Sequence, residues 1–234
     1  ETRHPELRHD LESILQGGAA ILRLPLRARH AEAHVALVEH CGREDLIGAL
    51  PYLWRHLPVP VYGTRLTLGL LRNKLREHEL ESKVELREIT AETPWWIGPF
   101  KVEGIRVTHS LIQCLAFAIE TPVGVVVHTG DFKIDNTPMS GEKFDFQRVA
   151  AYGEKGVLLL LSDSTNVERT GYSTSEREVG KGFEEIFRAS RGRVFVATFS
   201  SNIPRIQQVA ELATRFRRRL VLSTPFALPM HDRP

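Results

Sequence analysis

Short apolar runs with a two-residue period alternate along this chain with stretches whose apolar residues recur every three to four positions, which restricts the fold to an α/β arrangement. Val59-Pro-Val-Tyr62 reads as a short extended run whose prolines suit a strand start or edge. Thr64 then opens a helical stretch through Leu68, Leu71 and Leu75. Val84 to Ile89 and Phe100 to Thr108 alternate apolar with polar residues, as half-buried strands do. Leu115 to Ile119 and Val125 to Val127 read as two strands joined by a tight turn at Pro122-Val-Gly124. Val157 to Leu161 is an unbroken apolar run, which suits a strand buried on both faces. Ser175 to Ala189 carries Val179, Phe183, Ile186 and Phe187 at helical spacing, with Ser175 and Glu178 forming a capping box. Arg193 to Thr198 predicts another strand, Ile203 to Phe216 a helix, and Arg217 to Leu222 the beginning of a strand. Within residues 1–36, Ala19 to Leu24 is the one clean strand pattern, and Ser223 to Pro234 is rich in proline.

Size and charge narrow the class without naming a function. The 234 residues, 42% of them hydrophobic, suffice for one core of ordinary size or for one domain plus part of another. A net charge of +2 supplies no strongly basic footprint, and neither demands nor excludes nucleic acid. Cys41 and Cys114 cannot make a disulfide framework and fit a reducing compartment, hence the cytoplasm. No apolar run approaches the roughly 20 residues that span a bilayer, so no membrane partner is expected.

Four segments carry polar residues of the kind that chemistry uses: Cys41 to Gly48, Val107-Thr-His109-Ser110, His128-Thr-Gly-Asp131-Phe-Lys133 and Ser162-Asp163-Ser-Thr-Asn166. Each is expected at the C-terminal edge of a strand, where α/β proteins place their sites. Read singly, an Asp after Gly is a turn residue and a His after a strand a satisfied polar group.

Their wording and order point further. Ile47-Gly-Ala-Leu-Pro-Tyr-Leu53, Pro60 to Leu68, Val107-Thr-His-Ser110, His128 to Lys133, Leu159 to Asn166, Ser175-Glu-Arg-Glu-Val179 and Ser201-Asn202 follow one another as in ribonuclease J. Over about residues 41 to 220 the chain resembles that family, of the metallo-β-lactamase/β-CASP superfamily, as a truncated member with degenerate motifs. The resemblance implies a partial metallo-β-lactamase αββα sandwich over 37–156 and the start of a β-CASP α/β domain over 157–222. Residues 1–36 and 223–234 stay unassigned.

In the family a His-x-His-x-Asp-His loop, a distant His, a bridging Asp and a C-terminal His hold two metal ions, which activate a water and stabilise charge on a phosphate. Carried over, the resemblance makes Asp45, His109 and Asp131 metal ligands, with Asp45 and Asp163 catalytic. The loop itself reads Cys41-Gly-Arg43-Glu-Asp45-Leu46, so a guanidinium and an isobutyl group replace imidazoles. Downstream of His109, Leu111-Ile-Gln-Cys114 lacks a carboxylate of the family. Cys41, His109 and Asp131, with Cys114 as a fourth donor, offer a rebuilt site for one zinc ion in place of two; the alternative is that both cysteines are plain small residues. Ser164, Thr165, Ser200, Ser201 and Asn202 are the residues that the resemblance assigns to RNA or phosphate; alone, Ser-Ser-Asn is an ordinary helix N-cap. Where the family has Asn-Ile-His-Arg, this chain has Asn202-Ile-Pro204-Arg205.

The implied function is RNA processing by metal-dependent phosphodiester hydrolysis, with RNA as partner. The replaced ligands point to a catalytically impaired member, leaving open whether the chain is an enzyme. A non-catalytic RNA-binding or assembly subunit, joining copies of itself or a full-length ribonuclease J-like protein, and a decaying gene fragment are the alternatives.

Overall fold

A computed structural model describes residues 20–23, 34–37, 44–199 and 202–222, with the backbone alone for 20–23, 34–37 and 44–46. The described elements are, in order, β1 (Ala20–Arg23), β2 (His34–Leu37), α1 (Glu44–His56), β3 (Val61–Gly63), α2 (Arg65–Glu77), β4 (Leu86–Glu88), β5 (Trp95–Ile97), β6 (Phe100–Arg106), β7 (Leu115–Thr121), β8 (Gly124–His128), α3 (Phe146–Lys155), β9 (Leu159–Leu161), α4 (Glu176–Ala189) and α5 (Ile203–Arg215). They form a mixed α/β fold with two sheets, ordered β1-β2-β3-β4 and β5-β6-β7-β8-β9.

Strand alternation sorts the apolar side chains into layers. On β3, Val61 packs with Ile47 and Leu50 of α1 and Leu71 and Leu75 of α2, while Tyr62 turns to the opposite face. There Tyr62 meets Phe100 and Val102 of β6 and Phe117 and Ile119 of β7, so the two sheets share a core. The far face of the second sheet, built from Ile105, Ala116, Ala118, Val125 and Val127, packs on Tyr152 of α3. The result is the expected αββα order: two helices, a sheet, a sheet, a helix. Val61, Leu71, Leu75 and Ile105 are fully buried, and each such side chain contributes about 1.5–3 kcal/mol relative to exposure. A separate small core of Phe187, Val209, Leu212 and Ala213 joins α4 to α5.

Several expectations shift. The helix from Thr64 forms as α2, and the hairpin forms as β7 and β8 around Pro122–Gly124. The first strand after α1 starts at Val61 rather than Val59. Strands β2 and β5 and helices α1 and α3 have no counterpart in the sequence reading. β1 and β2, both starting within residues 1–36, pair with each other, and β2 pairs with β3.

Three expectations are corrected. Val157 to Leu161 is not buried on both faces: β9 pairs only with β8, at the edge of its sheet, and Leu158 and Leu160 are 58% and 59% exposed. Arg193 to Thr198 keeps its alternation, with Val194 and Val196 facing the α4–α5 core and Phe195 outward, but forms no strand because no neighbouring strand supplies a ladder. Arg217 to Leu222 forms none for the same reason. The capping box is half made: the Ser175 hydroxyl accepts from Arg177 N at 3.2 Å, while the Glu178 carboxylate pairs with Lys181 at 2.6 Å.

Candidate functional site

Strand direction gathers three of the four polar segments at one end of the second sheet. β6 and β8 are both antiparallel to β7 and therefore run the same way, and β9 is parallel to β8. The chain leaving β6 carries His109, that leaving β8 carries Asp131, and that leaving β9 carries Asp163. The first sheet points its strand ends to the same region. The Gln113 side chain, in the His109 loop, accepts from Leu66 N at the start of α2 at 3.2 Å, and β2 runs parallel to the β3 strand that feeds α2. Asp45 is the second residue of α1; its side chain, together with all of Cys41 and Arg43, lies outside the described residues.

Asp163 is the best-defined of these groups. Its Oδ1 accepts from Thr165 N at 2.9 Å and from the Thr165 hydroxyl at 2.6 Å, and its Oδ2 accepts from Phe132 N at 3.3 Å. Its own N–H donates to the Thr129 hydroxyl at 2.9 Å, fastening the β9 end to the β8 loop. Burial pushes the Asp163 carboxyl up, but the Thr165 and Phe132 donors and the nearby His109 outweigh it and hold the group below the usual carboxylate range. Thr165 is thereby a turn partner of Asp163, and Ser164 is exposed beside it.

His109 is half-buried, with Nδ1 3.2 Å from the Ser110 hydroxyl, and Asp131 is half-buried on the loop between. His128 is occupied locally, its Nδ1 accepting from Gly130 N at 3.2 Å. Cys114 is 1% exposed and its thiol donates to the Leu111 carbonyl at 3.1 Å. Burial, with Asp131 adding to it, drives that thiol far above its ordinary value, which makes Cys114 a poor source of thiolate. Among the described residues no three His, Cys, Asp or Glu side chains are grouped to hold a metal ion.

Of the phosphate candidates, Asn202 is buried and caps α5, its side chain accepting from Arg205 N at 3.1 Å; Ser200 and Ser201 lie outside the described residues. The ordinary N-cap is therefore what Asn202 performs here.

The sequence reading missed a buried ionic cluster beside these loops. Thr108 holds the β8 loop three times: its carbonyl accepts from Lys133 N at 2.7 Å, and its hydroxyl donates to the Lys133 carbonyl at 2.5 Å and accepts from Asp135 N at 3.2 Å. Asp135 accepts from Glu176 N at 3.2 Å, and Lys133 Nζ donates to Glu176 Oε1 at 2.8 Å. The words His128 to Lys133 and Ser175 to Val179 contain Lys133 and Glu176, but not Asp135, and nothing in either word says that they meet.

Comparison with known proteins bears on this arrangement. Ribonuclease J of Helicobacter pylori (strain J99) is 44% identical over 182 residues, covering 77% of this chain. Ribonuclease J of Synechocystis is 42% identical over 199 residues, and that of Thermus thermophilus 44% over 188. This chain is a ribonuclease J homologue. It spans 26%, 31% and 33% of the length of those three relatives. No family model matches it. A solved Enterococcus faecalis V583 protein aligns with a TM-score of 0.48 at 17% identity, over 67% of this chain and 39% of its own. The metallo-β-lactamase fold protein YhfI of Bacillus subtilis aligns at 0.34 and 19%, over 44% of this chain and 42% of its own. No described helix is long and apolar enough to cross a membrane.

Proposed function

We propose that this ribonuclease J homologue handles RNA in the cytoplasm and is impaired in two-metal hydrolysis. The donor set carries the reading. Arg43 and Leu46 stand where the family loop has imidazoles, and a fixed guanidinium charge repels a cation that an imidazole would bind. His109, Asp131 and Asp163 are not grouped as a three-donor cluster, and the Cys114 thiol is held neutral by burial. A two-ion centre does not fit these residues, so no hydrolytic step is derived through one. At most one zinc ion is held, by Cys41, His109 and Asp131, with Asp45 at the same edge. The RNA strand is taken by Ser164 and Thr165 of the Asp163 turn and by Ser200, Ser201 and Asn202. Residues 37–156 act as the sandwich portion, which β1 extends, and 157–222 as the β-CASP portion.

The test is cleavage of a 5′-monophosphorylated RNA oligonucleotide with added Zn²⁺ or Mn²⁺. We expect no turnover above background; turnover abolished by chelator and by Asp131→Ala overturns the impaired reading. Labelled single-stranded RNA should bind at low ionic strength and weaken as salt rises; absence of binding at low salt removes the RNA half.

A second reading, assembly with another copy or with a full-length ribonuclease J-like protein, is favoured by the exposed Leu158 and Leu160 along the β9 edge and the exposed Phe195 and Phe199.

A further inference from the structure

Between the sandwich and the α4–α5 pair the chain places four charges with little exposure. Side-chain exposure is 7% for Glu176, 2% for Asp135 and 15% for Lys133. Arg205, at 27%, reaches in from the first turn of α5. Glu176 sits at the centre. Its Oε1 accepts from Lys133 Nζ at 2.8 Å, and both its oxygens accept from Arg205 Nη2, at 3.1 and 2.9 Å. Its backbone is held as well: Glu176 N donates to Asp135 Oδ2 at 3.2 Å, and Gln208 Nε2 of α5 donates to Glu176 O at 3.0 Å. A flanking contact joins the Thr137 and Ser175 hydroxyls at 2.9 Å.

Three parts of the chain distant in sequence therefore meet on one residue: the loop after β8, the start of α4 and the start of α5. The loop is in turn fastened to Thr108, the neighbour of His109. We propose that Glu176 is the pin of a buried latch that fixes the α4–α5 pair on the sandwich, through Lys133 on one side and Arg205 on the other. Two cations and two anions balance within the cluster, which makes it tolerable at this low exposure. Remove the Glu176 charge alone and Arg205 loses its carboxylate partner in the cluster, while Lys133 keeps only the Asp135 carboxylate, 4.0 Å away. The pair then loses its seat while the sandwich keeps its own apolar core. The latch sets the spacing between the His109–Asp131 edge and the Asn202 helix start. Its value for an RNA strand rests on the proposed function, but its existence does not.

Hydrogen–deuterium exchange of the whole chain, without RNA, reads the latch directly. In Glu176→Gln we expect amides of residues 132–137, 175–179 and 203–206 to exchange at least tenfold faster, with β6 and β7 unchanged. Acceleration that includes β6 and β7 to the same degree, or none at all, overturns the proposal. Arg205→Met, at the more exposed partner, guards against a Glu176 variant that fails to fold. Faster exchange at 203–206, confined there or reaching 132–137, supports the bridge, and unchanged exchange at 203–206 overturns it.

Discussion

Gly124 turns the β7–β8 hairpin with φ of +148°, and a Cβ built there would lie 2.9 Å from Leu158 Cβ. A side chain at this position is therefore both strained in its backbone and pressed against the strand that follows α3. Gly124→Ala should cost about 1–3 kcal/mol of stability, read as a lower urea midpoint with an unchanged slope. Cys114 gives a chemical readout at the same scale. Its burial and raised pKa predict no alkylation by iodoacetamide in the native chain near pH 8 and full reaction after denaturation. Native-state labelling of Cys114, located by mass spectrometry, would contradict that. Residue identity alone suggested a ligand here, because Cys114 follows His109 in the site's wording; what decides is the packing against β6, β7 and β8, which no local spacing reveals. Asp163 was legible for the opposite reason: a strand-ending Ser-Asp-Ser-Thr word makes its turn with its own neighbour, Thr165. Glu176 lies within a matching word, but its role is not legible there, since its partners Lys133 and Arg205 lie 43 and 29 positions away.

At the scale of elements, α3 shows how a single cap fixes a helix start. Asp145 accepts from Arg148 N at 3.0 Å, and Asp145 N donates to the Arg106 carbonyl at 2.9 Å, so the cap also ties the helix to the end of β6. Asp145→Ala should cost about 0.5–2 kcal/mol, again measurable by urea unfolding. The α4 start responds to pH. Burial raises the Glu176 carboxyl, but Lys133 and Arg205 overcome it and the net shift is downward; at Asp135 burial is likewise outweighed by Thr137, Ser175 and Glu176 donors. Carboxyls lowered on folding add stability that is present above their unfolded values and lost as pH falls through the folded ones. We expect the urea midpoint to fall between pH 6 and pH 3, and to fall less in Glu176→Gln; equal slopes in both proteins would refute the assignment. Helices with their own periodicity, such as α2 and α4, were legible because each buries one stripe. The strands expected at Arg193–Thr198 and Arg217–Leu222 do not form: the first keeps its alternation, but a strand exists only with a hydrogen-bonded neighbour, and neither segment has one among the described residues. β2 and β5, four and three residues long, carry too little pattern to be seen without the strands that they join.

Over the whole molecule, the two sheets bury their inner faces against each other, yet apolar surface remains at β9 and on the segments that follow α4 and α5. Leu158 and Leu160 are more than half exposed, Phe195 and Phe199 are 88% and 82% exposed, and Val221 is 83% exposed. Among the described residues β9 has one unpaired edge, and that edge with Leu158 and Leu160 offers backbone donors and acceptors beside apolar area, the combination by which chains pair edge to edge. The cost of leaving these groups in water is offset when a second surface covers them, whereas at the β5 edge Trp95 stacks on Tyr62 and packs edge-on against Phe117, leaving Trp96 as the exposed apolar side chain of that strand. Self-association should therefore rise with concentration and run through the β9 side. Sedimentation velocity across a hundredfold concentration range should show a growing average mass for the unchanged chain. Leu158→Lys together with Leu160→Lys should return it to the monomer, because two charges two residues apart at β9 would need desolvation to be covered, while Trp96→Lys, at an exposed β5 position, should leave association as it was. A monomer at all concentrations, or equal loss of association in the Trp96 control, would show that the apolar side of β9 is not what the molecule uses to meet another copy.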